Sequence, residues 1–185
     1  MKCVITGHTT GLGKALFTYF KSQGWEVIGI SRTTGINLLT DIDDAIEIIK
    51  GADLFINNAA VSNAQLTLLN KTYNLVGKTI TMGSVAGDMF DLINEEYKSY
   101  AYNSHILEHR CLEISRNPLT TIVFLKLSML EDAVSTDLPI LYSEVIDTIA
   151  WWLNNPRITQ FNFELKLTDY TIQKINDNLG ILHIT

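Results

Sequence analysis

Three glycines in the run Thr6-Gly7-His8-Thr9-Thr10-Gly11-Leu12-Gly13 stand between an apolar run, Cys3-Val4-Ile5, and an amphipathic stretch from Lys14 to Phe20. A strand that ends in a glycine turn and opens a helix aims unpaired backbone N–H groups at one point, and that point suits a pyrophosphate. Gly7 permits the tight turn, Gly11 the close approach of phosphate to backbone, and Gly13 the packing of the helix on its strand. Thr9, Thr10 and Leu12 complete the phosphate-facing turn. A P-loop needs four residues before its Gly-Lys pair and then Ser or Thr for magnesium; here five separate Gly7 from Gly13-Lys14, and Ala15 follows. The spacing favours a dinucleotide over phosphoryl transfer.

Around this turn, short apolar runs alternate with helical stretches, which predicts an α/β fold: a Rossmann-like, doubly wound parallel β-sheet with helices on both faces. Strands are expected at Lys2–Thr6, Glu26–Ser31, Ala52–Ile56, Thr79–Met82, Leu119–Leu127 and Gln160–Leu165. Helices are expected from Leu12 to about Gly24, over Asp41–Lys50, within Asn63–Val76, from about Glu95 to Ser115, and over Ser143–Asn154 with Ser143 as its cap. The tail, Thr168–Thr185, reads as one more helix and an extended end. With 185 residues, 46% of them hydrophobic and 18% charged, the chain has apolar material for the core of a single domain spanning residues 1–185.

Charge and cysteine usage exclude other classes. A net charge of −6 without a lysine or arginine cluster argues against nucleic acid as the main partner, since phosphate-backbone binding needs clustered positive charge. Cys3 and Cys111 are too few for a disulfide framework or a zinc site; both read as buried thiols, and no metal is expected. Gly7 arrives before a signal-peptide hydrophobic region could form, and no apolar run reaches membrane length. The expectation is a cytoplasmic protein with no membrane partner.

Further landmarks follow in order. The second strand ends Ile30-Ser31-Arg32, where an NAD-selective site places a carboxylate for the ribose hydroxyls. A guanidinium at Arg32, with Ser31 as a second donor, suits a 2′-phosphate instead, so the expected cofactor is NADP(H). The third strand ends Asn57-Asn58-Ala59-Ala60, and the fourth runs into Ile80-Thr81-Met82-Gly83-Ser84-Val85-Ala86-Gly87. Together with Thr-Gly-x-x-x-Gly-x-Gly, these elements resemble the classical short-chain dehydrogenase/reductase family over roughly residues 1–165; the glycine spacing differs from the Gly-x-x-Gly-x-x-Gly of its extended, epimerase-like branch. The resemblance implies that Ala59 lets backbone lie against the cofactor and that Asn57 ties neighbouring strands through its amide. It also implies that Asn37 sits beside the adenine and that Ser84 is the catalytic serine.

The family's chemistry needs a Tyr to exchange a proton at the carbonyl oxygen and a Lys one helical turn later to lower the phenol pKa. Tyr100-Ala101-Tyr102-Asn103-Ser104 aligns on that helix with Tyr100 as the catalytic candidate, and Ser104 stands where the lysine belongs. Tyr97 and Tyr102 are rivals whose partners would be Ala101 and Ile106. Lys98 points to another side of the helix. Without a cation, a phenol of pKa ~10 is a sluggish acid–base at neutral pH. The asparagine of the family's catalytic set has three candidates, Asn63, Asn70 and Asn74.

After the fifth strand, Lys126-Leu127-Ser128-Met129-Leu130-Glu131 lacks the family's Pro-Gly. The apolar Met129, Leu130, Val134, Leu138 and Ile140 suit a small lid, the core or an oligomer contact. Trp151-Trp152 suit packing or a homo-oligomer interface. Two functions stay open. One is an oxidoreductase acting on a small carbonyl or alcohol substrate through Ser84 and Tyr100; the other is a binding module that keeps the cofactor site and has lost turnover.

Overall fold

The computed structural model describes residues 1–92, 95–128, 130, 140–155 and 160–164. Six strands, β1 (Lys2–Thr6), β2 (Glu26–Ile30), β3 (Leu54–Asn57), β4 (Lys78–Ser84), β5 (Ile122–Leu127) and β6 (Gln160–Glu164), form one parallel sheet in the order β2-β1-β3-β4-β5-β6. From β1 the chain moves outward to β2, then returns across β1 to β3. The strand order therefore reverses between β1 and β3, and the crevice at their carboxyl ends is where sheets of this kind take ligands.

Five helices cover the sheet: α1 (Gly11–Ser22), α2 (Ile42–Ile49), α3 (Ala64–Thr72), α4 (Glu95–Ser115) and α5 (Tyr142–Leu153). Strand alternation sorts the core into faces. Ile5, Ile56, Ile80 and Leu125 meet Leu16 of α1 and Val145 and Ile149 of α5, all buried. On the other face Val4 and Phe55 meet α2 and α3, and Ile122 and Phe124 meet Leu107, Cys111 and Ile114 of α4. Each such side chain taken from water stabilises by about 1.5–3 kcal/mol. Because α5 shares the α1 face while α2, α3 and α4 share the other, the β5–α5–β6 crossover turns in the opposite hand to the other four, against the usual right-handed rule.

Two local expectations change. The fifth strand starts at Ile122 rather than Leu119: Leu119 is 91% exposed on a turn in which Thr120 Oγ1 donates to the Ile114 carbonyl and Leu119 N–H to Asn117 Oδ1. Ser143 does not cap α5. The helix opens one residue earlier, and the Glu144 carboxylate accepts the Leu141 N–H at 2.8 Å. Of the lid residues, Ile140 is buried in the core beside α5, bridged to Leu130. Met129, Val134, Leu138 and the tail from Thr168 lie outside the described residues. Trp152 is buried and Trp151 half exposed. Among the described residues no helix is long and apolar enough to cross a membrane.

Candidate functional site

The glycine turn is braced from two sides. Gly7, at φ 71°, donates its N–H to the Ile30 carbonyl at 2.9 Å, which ties the turn to the end of β2. Thr6 Oγ1 accepts the N–H groups of Asn58 and Ala59 at 2.9 and 3.0 Å, and Asn58 Nδ2 donates to the Thr6 carbonyl at 3.0 Å. Gly13 lies so close to the turn that a Cβ there would collide with the Gly7 carbonyl oxygen and with Asn58 Nδ2. Thr10 is the extended N-cap residue of α1, and no acidic side chain occupies the first turn. The opening N–H groups of the helix are thus free for an anion. Leu12 contributes only its backbone, since its side chain is buried in the core.

Beside this turn a cavity of about 330 Å³ brings together Gly7, Thr9, Ser31, Arg32, Asn37 and Ala59. Ile36, Leu38, Leu39 and Val61 give it an apolar side that suits a flat base. Ser31 caps a 3-10 turn over Arg32–Thr34, and its hydroxyl lies 2.8 Å from Thr33 Oγ1. This turn holds Arg32 at the cavity wall, and among the described residues its guanidinium makes no hydrogen bond or ion pair. Asn37 Oδ1 accepts the Leu39 N–H at 3.2 Å, leaving the amide NH₂ for a ligand. The Asn37 N–H donates to Asp41, and this bond, with one from Thr40, holds the Asp41 carboxyl below its usual range.

Asn57 takes a different part from the one the resemblance implies. It is fully buried, and its Nδ2 donates to the Gln65 carbonyl of α3 at 2.8 Å, not to a neighbouring strand. Strand tying falls to Gln65, whose Nε2 donates to the carbonyls of both Asn57 and Met82 at 2.9 Å. Asn57 is therefore a support under the site and does not line the nucleotide cavity. The reason is strand alternation, which turns Asn57 toward α3 while Asn58, one residue on, reaches the glycine turn.

At the end of β4, Ser84 meets α4 through Ser104. The Ser84 N–H donates to Ser104 Oγ at 2.8 Å, and that hydroxyl donates to the Ser84 carbonyl at 3.1 Å. Ser84 Oγ accepts the Ala86 N–H at 3.1 Å. Tyr100 stands one helical turn from Ser104 on the same side of α4. With Asn103 and Ser104 it walls a second cavity of about 250 Å³ against the end of β4 and the β3–α3 loop. Among the described residues no hydrogen bond joins Tyr100 to Ser84. Tyr97, Tyr100 and Tyr102 are all exposed, at 39%, 45% and 53%, and Lys98 is paired with Glu95 at 2.6 Å. Of the asparagine candidates, Asn70 is held by Arg110 at 2.6 Å and none lines the second cavity, whereas Asn103, which the sequence reading did not single out, does.

The other residue missed is Lys126. Its position after Ile122 and Phe124 turns it toward α4, where its ammonium, 9% exposed, meets Glu108 at 2.9 Å and both oxygens of Asp88 at 2.9 Å. Burial works to lower its pKa, but the hydrogen bonds it donates to Glu108 and Asp88 outweigh this and raise it. A lysine inside an otherwise apolar strand was the available signal, because a buried ammonium requires carboxylate partners.

A β2-β1-β3-β4-β5-β6 sheet with a glycine turn at the switch point defines a Rossmann-like α/β class of protein. Its fold is that of the short-chain dehydrogenases. It is similar to a short-chain dehydrogenase from Streptomyces avermitilis at TM-score 0.70 and 13% identity, over 97% of this chain and 92% of that one. It is also similar to UDP-N-acetylglucosamine 4-epimerase from Bacillus cereus at TM-score 0.67 and 18% identity, over 99% and 86%. A third is the 3-alpha-hydroxysteroid dehydrogenase of Pseudomonas sp. B-0831 complexed with NADH, at 0.65 and 16%, over 89% and 95%. Within that fold, residues 3–85 match the NAD dependent epimerase/dehydratase family, so the stretch from β1 to the end of β4 carries that family's pattern. Comparison with functionally curated proteins returned no match.

Proposed function

We propose that the chain is a short-chain dehydrogenase/reductase-like oxidoreductase of the cytoplasm that uses NADP(H) and acts on a small carbonyl or alcohol. The observation that carries this reading is the cavity beside the glycine turn, where Arg32, uncommitted among the described residues, stands with Ser31, Thr9 and Asn37. The residues fit the cofactor: Gly7 and Gly13 leave room at the turn, the first N–H groups of α1, uncapped by a Thr10 side chain, would hold the pyrophosphate, and Arg32 and Ser31 would supply donors for a 2′-phosphate. Bound nicotinamide supplies the hydride donor or acceptor. In this reading Ser84 keeps its hydroxyl proton for a substrate oxygen, since its Oγ accepts from the Ala86 N–H, and Tyr100 exchanges the proton.

NADPH should bind more tightly than NADH, and Arg32→Asp should reverse or flatten that preference in a fluorescence titration. Equal curves for the two nucleotides on the unmutated protein would remove the NADP(H) assignment. Tyr100→Phe should abolish turnover while nucleotide affinity stays nearly intact.

A second reading, a nucleotide-sensing or partner-binding module without turnover, is favoured by one observation. Ser104, in the place of the family's lysine, is committed to the backbone of Ser84. Failure to oxidise or reduce any small alcohol or carbonyl, with NADPH binding intact, would favour this module.

A further inference from the structure

Helix α4 carries the segment His105-Ile106-Leu107-Glu108-His109, and neither histidine lines the nucleotide cavity or the one beside Tyr100. We propose that His105 and His109 together bind a divalent transition-metal ion, Ni²⁺, Zn²⁺ or Cu²⁺, at the surface of α4. This site stands apart from the proposed nucleotide chemistry and does not depend on it.

Spacing is the first argument. Residues four apart lie one above the other on a helix, so the two imidazoles reach a common point. Metal-binding helices use the same spacing, with a His pair as ligands and an adjoining Glu as a base. Here the glutamate is committed elsewhere: Glu108 meets the Lys126 ammonium at 2.9 Å. Glu113, one turn beyond His109, pairs with Arg110 at 2.8 Å. Among the described residues no group of three His, Cys, Asp or Glu side chains gathers that could hold a metal. The proposed site therefore has two imidazole ligands, with water in the other positions, and suits an exchangeable ion rather than a hydrolytic centre.

Ring geometry is the second argument. Both histidines are exposed, and their rings touch with centres 4.5 Å apart at an angle of 63°. An ion bound to one nitrogen of each ring at about 2.0–2.1 Å stands about 3.2 Å from each ring centre, which puts the centres about 4.5–5.2 Å apart for angles of about 90–109° at the metal. The observed separation meets the lower limit. Turning a ring about its Cβ–Cγ bond, a soft torsion, swings its nitrogens outward and leaves its centre in place.

The third argument is anchoring. Ser104, which precedes His105, is bonded to the Ser84 backbone at 2.8 and 3.1 Å, and Glu108, which precedes His109, is held by Lys126. Leu107 and Cys111 are buried beneath the same turns. The backbone at both ligands is thus fixed before an ion arrives, which lowers the cost of binding. Imidazole selects Ni²⁺, Cu²⁺ and Zn²⁺, whereas Mg²⁺ takes oxygen ligands.

The test is a titration of the ¹⁵N-labelled full chain with NiCl₂, followed by ¹H–¹⁵N NMR because a paramagnetic ion broadens the amides near it, together with urea unfolding in NiCl₂ or MgCl₂. Broadening should centre on the amides from Ser104 to Arg110. His105→Ala and His109→Ala should each weaken Ni²⁺ binding about tenfold, the loss of a two-point hold. With Ni²⁺ at about ten times its Kd, the ratio of folded to unfolded protein should rise about elevenfold in the unmutated chain and about twofold in a variant that binds ten times more weakly. MgCl₂ should give neither rise. His109→Gln serves as a second variant should His109→Ala fail to give a dispersed spectrum. The proposal is overturned if the broadening centres on His8 or elsewhere, if either single variant binds Ni²⁺ as tightly as the unmutated chain, or if MgCl₂ stabilises as much as NiCl₂. Success or failure of NADPH binding bears on the functional reading alone.

Discussion

Ser104 occupies the position that the resemblance reserves for a lysine, and its hydroxyl makes two hydrogen bonds to the Ser84 backbone. Ser104→Ala should leave the Ser84 N–H without its partner and cost about 1–3 kcal/mol, read from urea unfolding. A change below about half a kcal/mol would mean that water replaces the hydroxyl. Ser104→Lys loses the same bonds, so no gain of activity is expected from restoring the family residue. Gly13→Val should abolish NADPH binding and lower the melting temperature, because its Cβ meets the Gly7 carbonyl, a backbone atom that cannot swing aside. Unchanged affinity and stability would reduce the glycine run to an ordinary turn.

At the scale of elements, Lys126 joins three of them: β5, α4 through Glu108, and the 3-10 segment Val85–Leu92 through Asp88. That segment follows Ser84 directly, so the ion pairs hold down the chain leaving the candidate catalytic residue. Lys126→Met takes from Glu108, 13% exposed, the ammonium that it meets at 2.9 Å. The expected cost is about 3–5 kcal/mol, toward the lower end because Asp88 is half exposed and remains solvated. The double variant Lys126→Met, Glu108→Leu should recover much of that loss in denaturant unfolding. If the double variant is as unstable as the single one, packing rather than charge explains the effect.

Across the whole molecule, the two buried thiols predict behaviour at high pH. Burial pushes Cys3 and Cys111 up from 9.0 to about 12, so both stay protonated in the folded chain while unfolding frees them to ionise. Their contribution is fully present below pH 9 and is lost as the pH rises toward 12. Native protein should resist alkylation at pH 8 and react fully in denaturant, a difference seen by mass spectrometry. Rapid native alkylation would show that one thiol is accessible.

The residues proposed to hold phosphate were legible because their signal is local. The turn at Gly7, the tight approach at Gly13 and the end of β2 at Ser31-Arg32 are set by backbone geometry within a few residues, and Gly7, Ser31 and Arg32 meet at one cavity in the fold. The parallel sheet was also accessible, since apolar runs alternating with helices predict one, whereas its order β2-β1-β3-β4-β5-β6 came from the fold. The roles of Asn57, Gln65, Ser104 and Lys126 were not, because each depends on which partner lies across a contact between elements distant in the chain. Asn57 was read as tying strands, yet it bonds to α3; Ser104 was read as a missing lysine, yet it clamps Ser84. Local spacing determines where backbone N–H groups point, whereas the partner of a buried amide, hydroxyl or ammonium is set only when helices and sheet have packed and water has left the contact.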